Sequence, residues 1–173
     1  MLSAKNARPQ PHTETNPMAI EIERKYRVQS LGGLELPKGQ EIDQGYLANS
    51  GCTVRVRTKG PRAYLTIKFP ARRLQETGGA LERQEFEYEI PVPDARELLE
   101  LAPFRLTKTR HLLPNGVELD IFHGRHEGLI LAEYESVGGS QPEPLPGLQW
   151  QEVTEDRRYS NSWIARNGIP PLD

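Results

Sequence analysis

The chain has 173 residues, of which 36% are apolar and 27% charged, with 22 Lys and Arg against 24 Asp and Glu. That length fits one domain, and a formal net charge of −2 argues against a generally basic nucleic-acid binder. A single cysteine, Cys52, excludes an intramolecular disulfide framework and a cysteine-built zinc site. With no membrane-length apolar run and no signal-peptide core, the expectation is a cytoplasmic protein without a membrane partner.

Residues 1–17 (MLSAKNARPQPHTETNP) are polar, contain proline and lack periodicity, which reads as a disordered leader before a folded domain spanning 18–173. From Met18 the dominant period is two. Apolar or aromatic residues alternate with charged ones over 20–28, 53–57, 64–69, 85–90 and 117–121, the pattern of strands with two chemically different faces. Residues 41–47, 104–113 and 129–137 are weaker strand candidates. Lys59-Gly60-Pro61-Arg62 and Pro114-Asn115-Gly116 read as hairpin turns, the second as a type I′ turn. Residues 70–80 read as a longer loop, and 138–148 as a Pro/Gly-rich crossing. Asp94–Leu101, N-capped by Asp94, and Ser160–Asn167, ended by Gly168, read as helices. Eight strands with short antiparallel links suggest a mainly β domain, an eight-stranded antiparallel closed barrel with a few flanking helices.

Alternation assigns the charges to one face. Glu21, Glu23 and Lys25 share a face of the first strand, Arg55 and Arg57 of the third, and Lys68 lies on the fourth. Glu85 and Glu87 follow on the fifth, Lys108 and Arg110 on the sixth, Glu118 and Asp120 on the seventh, and Glu133 and Glu135 on the eighth. A solvated sheet face over an apolar core is the ordinary meaning of such alternation. Here each strand's charges are mostly of one sign, whereas ordinary surfaces intersperse the signs. A barrel of eight strands enclosing this face has room for a small ligand. Its bipolar lumen suits a polyanion with a divalent metal: Arg and Lys bind phosphate oxygens, and carboxylates hold Mg²⁺ or Mn²⁺.

Glu21-Ile-Glu-Arg-Lys25 resembles the ExExK signature of the CYTH superfamily, the triphosphate tunnel metalloenzymes. The series continues in order with Gln44-Gly-Tyr-Leu47, Thr53-Val-Arg-Val-Arg57, Leu65-Thr-Ile-Lys68, Arg83–Ile90, Lys108-Thr-Arg110, Glu118-Leu-Asp120 and Glu133-Tyr-Glu135. Glu152–Asn161 (EVTEDRRYSN) resembles the closing segment of the short bacterial members. The resemblance covers nearly all of residues 19–167.

The resemblance implies an eight-stranded antiparallel tunnel that binds triphosphates with Mg²⁺ or Mn²⁺. It assigns Lys25, Arg55, Arg57, Lys68 and Arg110 to the phosphates. It assigns Glu21, Glu23, Glu85, Asp120, Glu133 and Glu135 to one or two metals, and leaves open which acid of the Glu85/Glu87 and Glu118/Asp120 pairs reaches an ion. Lys108 and Tyr46 match the pair implicated in activating water in the short triphosphatases, with a metal-bound water as the alternative nucleophile. Without the resemblance Tyr46 reads as a core tyrosine. His111, His123 and His126 read as surface or packed histidines, Cys52 as a small buried residue, and Tyr159, Trp163 and Ile164 as the face that packs the last helix. Asp156, Arg157 and Arg158 either close one mouth or are simply solvated.

The resulting expectation is a metal-dependent inorganic triphosphatase that splits tripolyphosphate into pyrophosphate and phosphate. A thiamine or nucleoside triphosphatase, an adenylate cyclase, and a polyphosphate-binding module without turnover are the alternatives. A homodimer is permitted but not demanded.

Overall fold

The computed structural model describes residues 21–69, 72–73, 81–82, 85–137 and 140–171. The leader assigned to 1–17 and most of the 70–80 loop lie outside these residues. The strands are β1 Glu21–Ser30, β2 Gln40–Ser50, β3 Cys52–Lys59, β4 Arg62–Lys68, β5 Arg72–Arg73, β6 Leu81–Glu82, β7 Glu85–Ile90, β8 Phe104–Leu112, β9 Glu118–Phe122, β10 Ile130–Val137 and β11 Gln149–Glu152; the helices are α1 Val92–Leu101 and α2 Asn161–Asn167. Nine strands form one sheet in the order β11-β1-β10-β9-β8-β2-β3-β4-β7, and β5 with β6 makes a two-stranded ladder. Every pairing is antiparallel.

Two features differ from the expected closed eight-stranded barrel. The ninth strand, β11, pairs with β1, and its segment Gln-Trp-Gln-Glu carries no apolar alternation to announce it. Stacking of Trp150 on Tyr26, with ring centroids 4.6 Å apart, fastens it to β1. The sheet is also open: β7 and β11 are its edges, and among the described residues they form no ladder with each other.

Local chemistry explains the connections. In the β3–β4 hairpin Lys59 pairs with Arg62, and Gly60 (φ 56°) precedes Pro61, the glycine-first order that suits a type II′ turn. The β8–β9 turn is not the type I′ expected from Asn-Gly. Only Gly116 has positive φ, its N–H donates to Leu113 O at 3.0 Å, and Leu113 N–H donates to Val117 O at 2.8 Å. This is a type I turn followed by a left-handed glycine, with the Asn115 side chain accepting from Val117 N–H. Helix α1 begins two residues before Asp94, because proline's fixed φ is well tolerated in a first turn. Asp94 sits in that turn as a favourable charge rather than as the cap. Helix α2 has Ser160 as its N-cap, accepting from Trp163 N–H, and Gly168 as its C-cap.

The apolar residues fall into three clusters rather than one face. Val56, Ala63, Ala95 and Leu99 join α1 to the outer face of β3 and β4. Tyr26, Val28, Leu113, Val117, Leu119 and Ala132 pack outside β1, β9 and β10 beneath Leu31, Leu34, Leu145 and Leu148. The third cluster lies on the same face as the charges: Tyr46, Leu106, Phe122 and Leu131 pack under Tyr159, Ile164 and Ala165. That face therefore changes along its strands from apolar under α2 to charged beyond it. In β8 the sequence Leu106, Lys108, Arg110 makes the transition within five residues. His126 is packed as expected, its Nε2 on Ile164 O at 3.0 Å.

Candidate active site

The charged part of this face lines a cavity of about 870 Å³. Among the expected site residues, Glu23, Lys25, Tyr46, Arg55, Arg57, Lys68, Glu85, Lys108, Arg110, Glu133 and Glu135 all line it. The structure describes Glu21 as part of β1 but not its side chain. Asp120 does not line the cavity; it is fully buried beneath the floor. Glu87, Glu118, Gln44, Asn161 and Arg157 line it as well. So does Cys52, which is half-buried rather than packed away.

Strand geometry brings these groups together. Lys25 and Glu133 are register partners across β1 and β10, and Lys25 Nζ lies 3.0 Å from the Glu133 carboxylate. Arg110 and Asp120 are register partners across β8 and β9. The Arg110 guanidinium makes a two-pronged contact with Asp120, Nε to Oδ1 at 2.7 Å and Nη2 to Oδ2 at 2.6 Å. It also bonds Glu133 at 2.7 Å and Glu118. Lys108 Nζ donates to Asp120 Oδ2 at 2.5 Å and to Asn161 Oδ1 at 3.2 Å. Asp120 thus acts as counter-ion to both cations, with each of its oxygens engaged.

On the other wall, Arg55 and Arg57 of β3 share the Glu87 carboxylate of β7, at 3.4 and 3.3 Å, and Thr66 Oγ1 donates to the same oxygen at 2.8 Å. Glu87 therefore holds the two guanidinium groups side by side. Arg55 Nε and Arg57 Nε are buried with no hydrogen-bond partner among the described residues. A buried donor without an acceptor costs about 1–3 kcal/mol. Burial, reinforced by the charge of Arg55, pushes the Arg57 pKa down from its ordinary value. Like-charged, desolvated and short of acceptors, this pair of arginines favours an anion. Lys68 pairs with Glu85 at 2.9 Å at the more exposed end of the cavity.

Tyr46 enters from β2, where a bulge between Tyr46 and Ala48 shifts the register against β3. Gly45, its neighbour, makes room outside: a Cβ there would lie 2.5 Å from Ala102 Cβ. The Tyr46 hydroxyl accepts from Gln44 Nε2 at 2.9 Å. Burial pushes the phenol far above its usual range, with Arg55 and Arg57 opposing this only in part, so Tyr46 is a neutral phenol at neutral pH. Having accepted from Gln44, it retains its O–H as a donor. Burial pushes the Lys108 pKa down against the pull of Asp120 and Glu133. For Lys25 burial also acts downward, but Glu133 and Glu23 prevail and raise it. For Glu133 burial acts upward, and Lys108, Lys25 and Arg110 overcome it, holding the carboxyl well below the usual range. The ammonium of Lys108 and the hydroxyl of Tyr46 do not bond each other directly.

The acids supply hard oxygen donors suited to Mg²⁺ or Mn²⁺. Glu23 and Glu135 stand directly opposite in the β1–β10 register, a like-charge placement that is unfavourable unless a cation intervenes. Lys25 lies 3.4 Å from Glu23. Among the described residues no three His, Cys, Asp or Glu side chains converge on a ready-made cage. Two carboxylates plus phosphate oxygens of a substrate are a ligand set Mg²⁺ accepts, so these residues fit such an ion.

The profile of the CYTH domain matches residues 19–136. An inorganic triphosphatase from Acetivibrio thermocellus is 36% identical over 156 residues, 87% of this chain and 96% of its own length. One from Nitrosomonas europaea is 34% identical over 154 residues, 84% of this chain and 96% of its own. The crystal structure of the inorganic triphosphatase NE1496 superposes with a TM-score of 0.63 at 32% identity, covering 90% of this chain and 99% of that one. The chain therefore belongs to the CYTH domain family.

The sequence gives no role to Gln44 or Asn161, and leaves Arg157 between closing one mouth and being solvated; the structure puts all three in the cavity lining. Gln44 and Asn161 stand inside quoted motifs, QGYL and YSN, and a polar residue in an otherwise packed stretch was the available signal.

Proposed function

We propose that the protein is a metal-dependent inorganic triphosphatase that hydrolyses tripolyphosphate to pyrophosphate and phosphate in this cavity. The observation that carries the reading is the pair of adjacent, half-buried guanidinium groups, Arg55 and Arg57, whose Nη2 atoms share the Glu87 carboxylate while their buried Nε–H donors lack an acceptor among the described residues. Polyphosphate oxygens are suited to satisfy them. Relatives named inorganic triphosphatase over nearly the whole chain support the same substrate.

The charge balance of the cavity supports metal dependence. Seven cations and six carboxylates line the cavity, with Asp120 beneath. The site is therefore close to neutral and does not by itself balance a multiply charged polyphosphate. Glu23 and Glu135 would hold a divalent ion together with phosphate oxygens of the substrate, and a Glu21 ligand is part of the same proposal. When bound, that ion neutralises phosphate oxygens and lowers the pKa of a coordinated water.

The chain's own groups do the rest. Lys25, Arg55, Arg57, Lys68 and Arg110 bind and align the phosphates, so that positioning and electrostatics carry most of the acceleration. Asp120 and Glu87 keep the cations in place. The Tyr46 hydroxyl, oriented by Gln44, donates to the reacting oxygen or to the attacking water. Lys108, oriented by Asp120 and Asn161, holds or releases a proton at Nζ beside the scissile bond. A buried phenol with a raised pKa fits the donor role and not that of a phenolate base.

Phosphate release from tripolyphosphate, ATP and thiamine triphosphate, each with Mg²⁺, Mn²⁺ or EDTA, tests the reading. Fast, EDTA-sensitive release from tripolyphosphate is the expected result. Preference for an organic triphosphate, or tight binding without release, would replace it with one of the alternatives.

A further inference from the structure

The segment after β11 crosses one side of the cavity. Val153 N–H donates to Lys25 O at 2.8 Å, and Thr154 Oγ1 accepts from Lys25 N–H at 3.1 Å, so the segment starts on the strand that carries Lys25. It ends at Asn161, whose side chain accepts from Lys108. Between them a single helical turn, Arg157–Tyr159, is held firmly. Tyr159 is buried in the cluster under α2 and bonds Arg27, and the Asp156 carboxylate accepts from Arg158 N–H and from its guanidinium at 2.7 Å.

This leaves the two adjacent arginines in different situations. Arg158 is tied to Asp156, whereas Arg157 lines the cavity at its rim. Each of the other six cations lining the cavity has a carboxylate partner. Among the described residues the Arg157 guanidinium has neither an ion-pair nor a hydrogen-bond partner. Among the lining cations it is the one whose charge is not already engaged, and it is mounted on a turn between the segments bonded to Lys25 and to Lys108.

Resting on the triphosphatase reading, we infer that Arg157 is a further substrate-contacting residue, binding the outer phosphate of tripolyphosphate as it enters and sits in the cavity. It acts on binding and not on the chemical step, because it is exposed where it lines the cavity, whereas the Lys108–Asp120 pair is buried. An exposed cation that contacts a phosphate changes capture and salt dependence more than turnover.

The test is steady-state hydrolysis of tripolyphosphate with Mg²⁺ by the full chain and by Arg157→Ala, Arg157→Lys and Arg62→Ala. Arg62 is an exposed arginine in the β3–β4 hairpin outside the cavity lining. Arg157→Ala is expected to raise KM about three- to tenfold with kcat within about twofold and an unchanged melting temperature. Arg157→Lys is expected to recover most of the loss, and the difference is expected to shrink at high salt. Wild-type turnover with an unchanged KM in Arg157→Ala overturns the inference and leaves the triphosphatase reading standing. An equal rise in Arg62→Ala overturns it in favour of diffuse charge. Absence of turnover in the wild type overturns both.

Discussion

Lys108 Nζ lies 2.5 Å from the Asp120 carboxylate, and the two side chains retain only 2% and 0% of their exposure. Removing one member of a buried pair strands the other charge, at a cost of about 3–5 kcal/mol. Asp120 also receives two bonds from Arg110, so its loss disorders two site cations at once. Asp120→Asn is expected to lower the urea unfolding free energy by about 3 kcal/mol or more and to reduce kcat/KM strongly. Adding Lys108→Met is expected to restore part of the stability without restoring activity, as a double-mutant cycle would show. Additive stability losses would contradict the coupling.

Tyr46→Phe removes the hydroxyl that accepts from Gln44 and faces the cavity. Turnover is expected to fall about a hundredfold with KM nearly unchanged, and stability by about 1 kcal/mol for the orphaned Gln44 amide. Unchanged turnover would remove Tyr46 from the mechanism.

The same phenol makes stability depend on alkaline pH. Its folded-state pKa is raised, chiefly by burial. The unfolded chain loses this proton near pH ~10 while the folded chain keeps it. The contribution is therefore fully present below that pH and is lost as pH rises above it. Chemical denaturation from pH 8 to 11 is expected to show a steeper loss for the wild type than for Tyr46→Phe. Parallel profiles would refute the assignment.

Glu23 and Glu135 face each other across β1 and β10. If they hold the ion, Glu23→Gln or Glu135→Gln raises the Mg²⁺ concentration for half-maximal activity about tenfold or more. Glu85→Gln, whose carboxylate pairs with Lys68, should change it less. The same Mg²⁺ requirement in all three variants and the wild type would exclude the Glu23–Glu135 site.

The sequence was most legible where period two was strict. In β1, β3, β4 and β7 the phase of alternation picked the face from which Glu23, Lys25, Arg55, Arg57, Lys68, Glu85 and Glu87 line the cavity. It was least legible where tertiary contacts decide. Strand β11 forms because Trp150 stacks on Tyr26 and not because Gln-Trp-Gln-Glu has strand patterning. Leu106 and Lys108 share a face, so alternation could not separate the plugged end from the open one; α2 does that. Asp120 occupies the same phase as the lining acids, and only the sheet's curvature places it beneath two cations. Arg157 sits in an aperiodic segment, where spacing carries no information on direction.

The most direct test of the account is to follow tripolyphosphate by phosphorus NMR with Mg²⁺, using the wild type and Arg55→Ala. The expected result is conversion to equal pyrophosphate and phosphate, with pyrophosphate then persisting. Arg55→Ala is expected to lose at least about a hundredfold in kcat/KM at an unchanged melting temperature. Full activity in Arg55→Ala, or no conversion by the wild type, would contradict the claim that this cavity is a triphosphatase site.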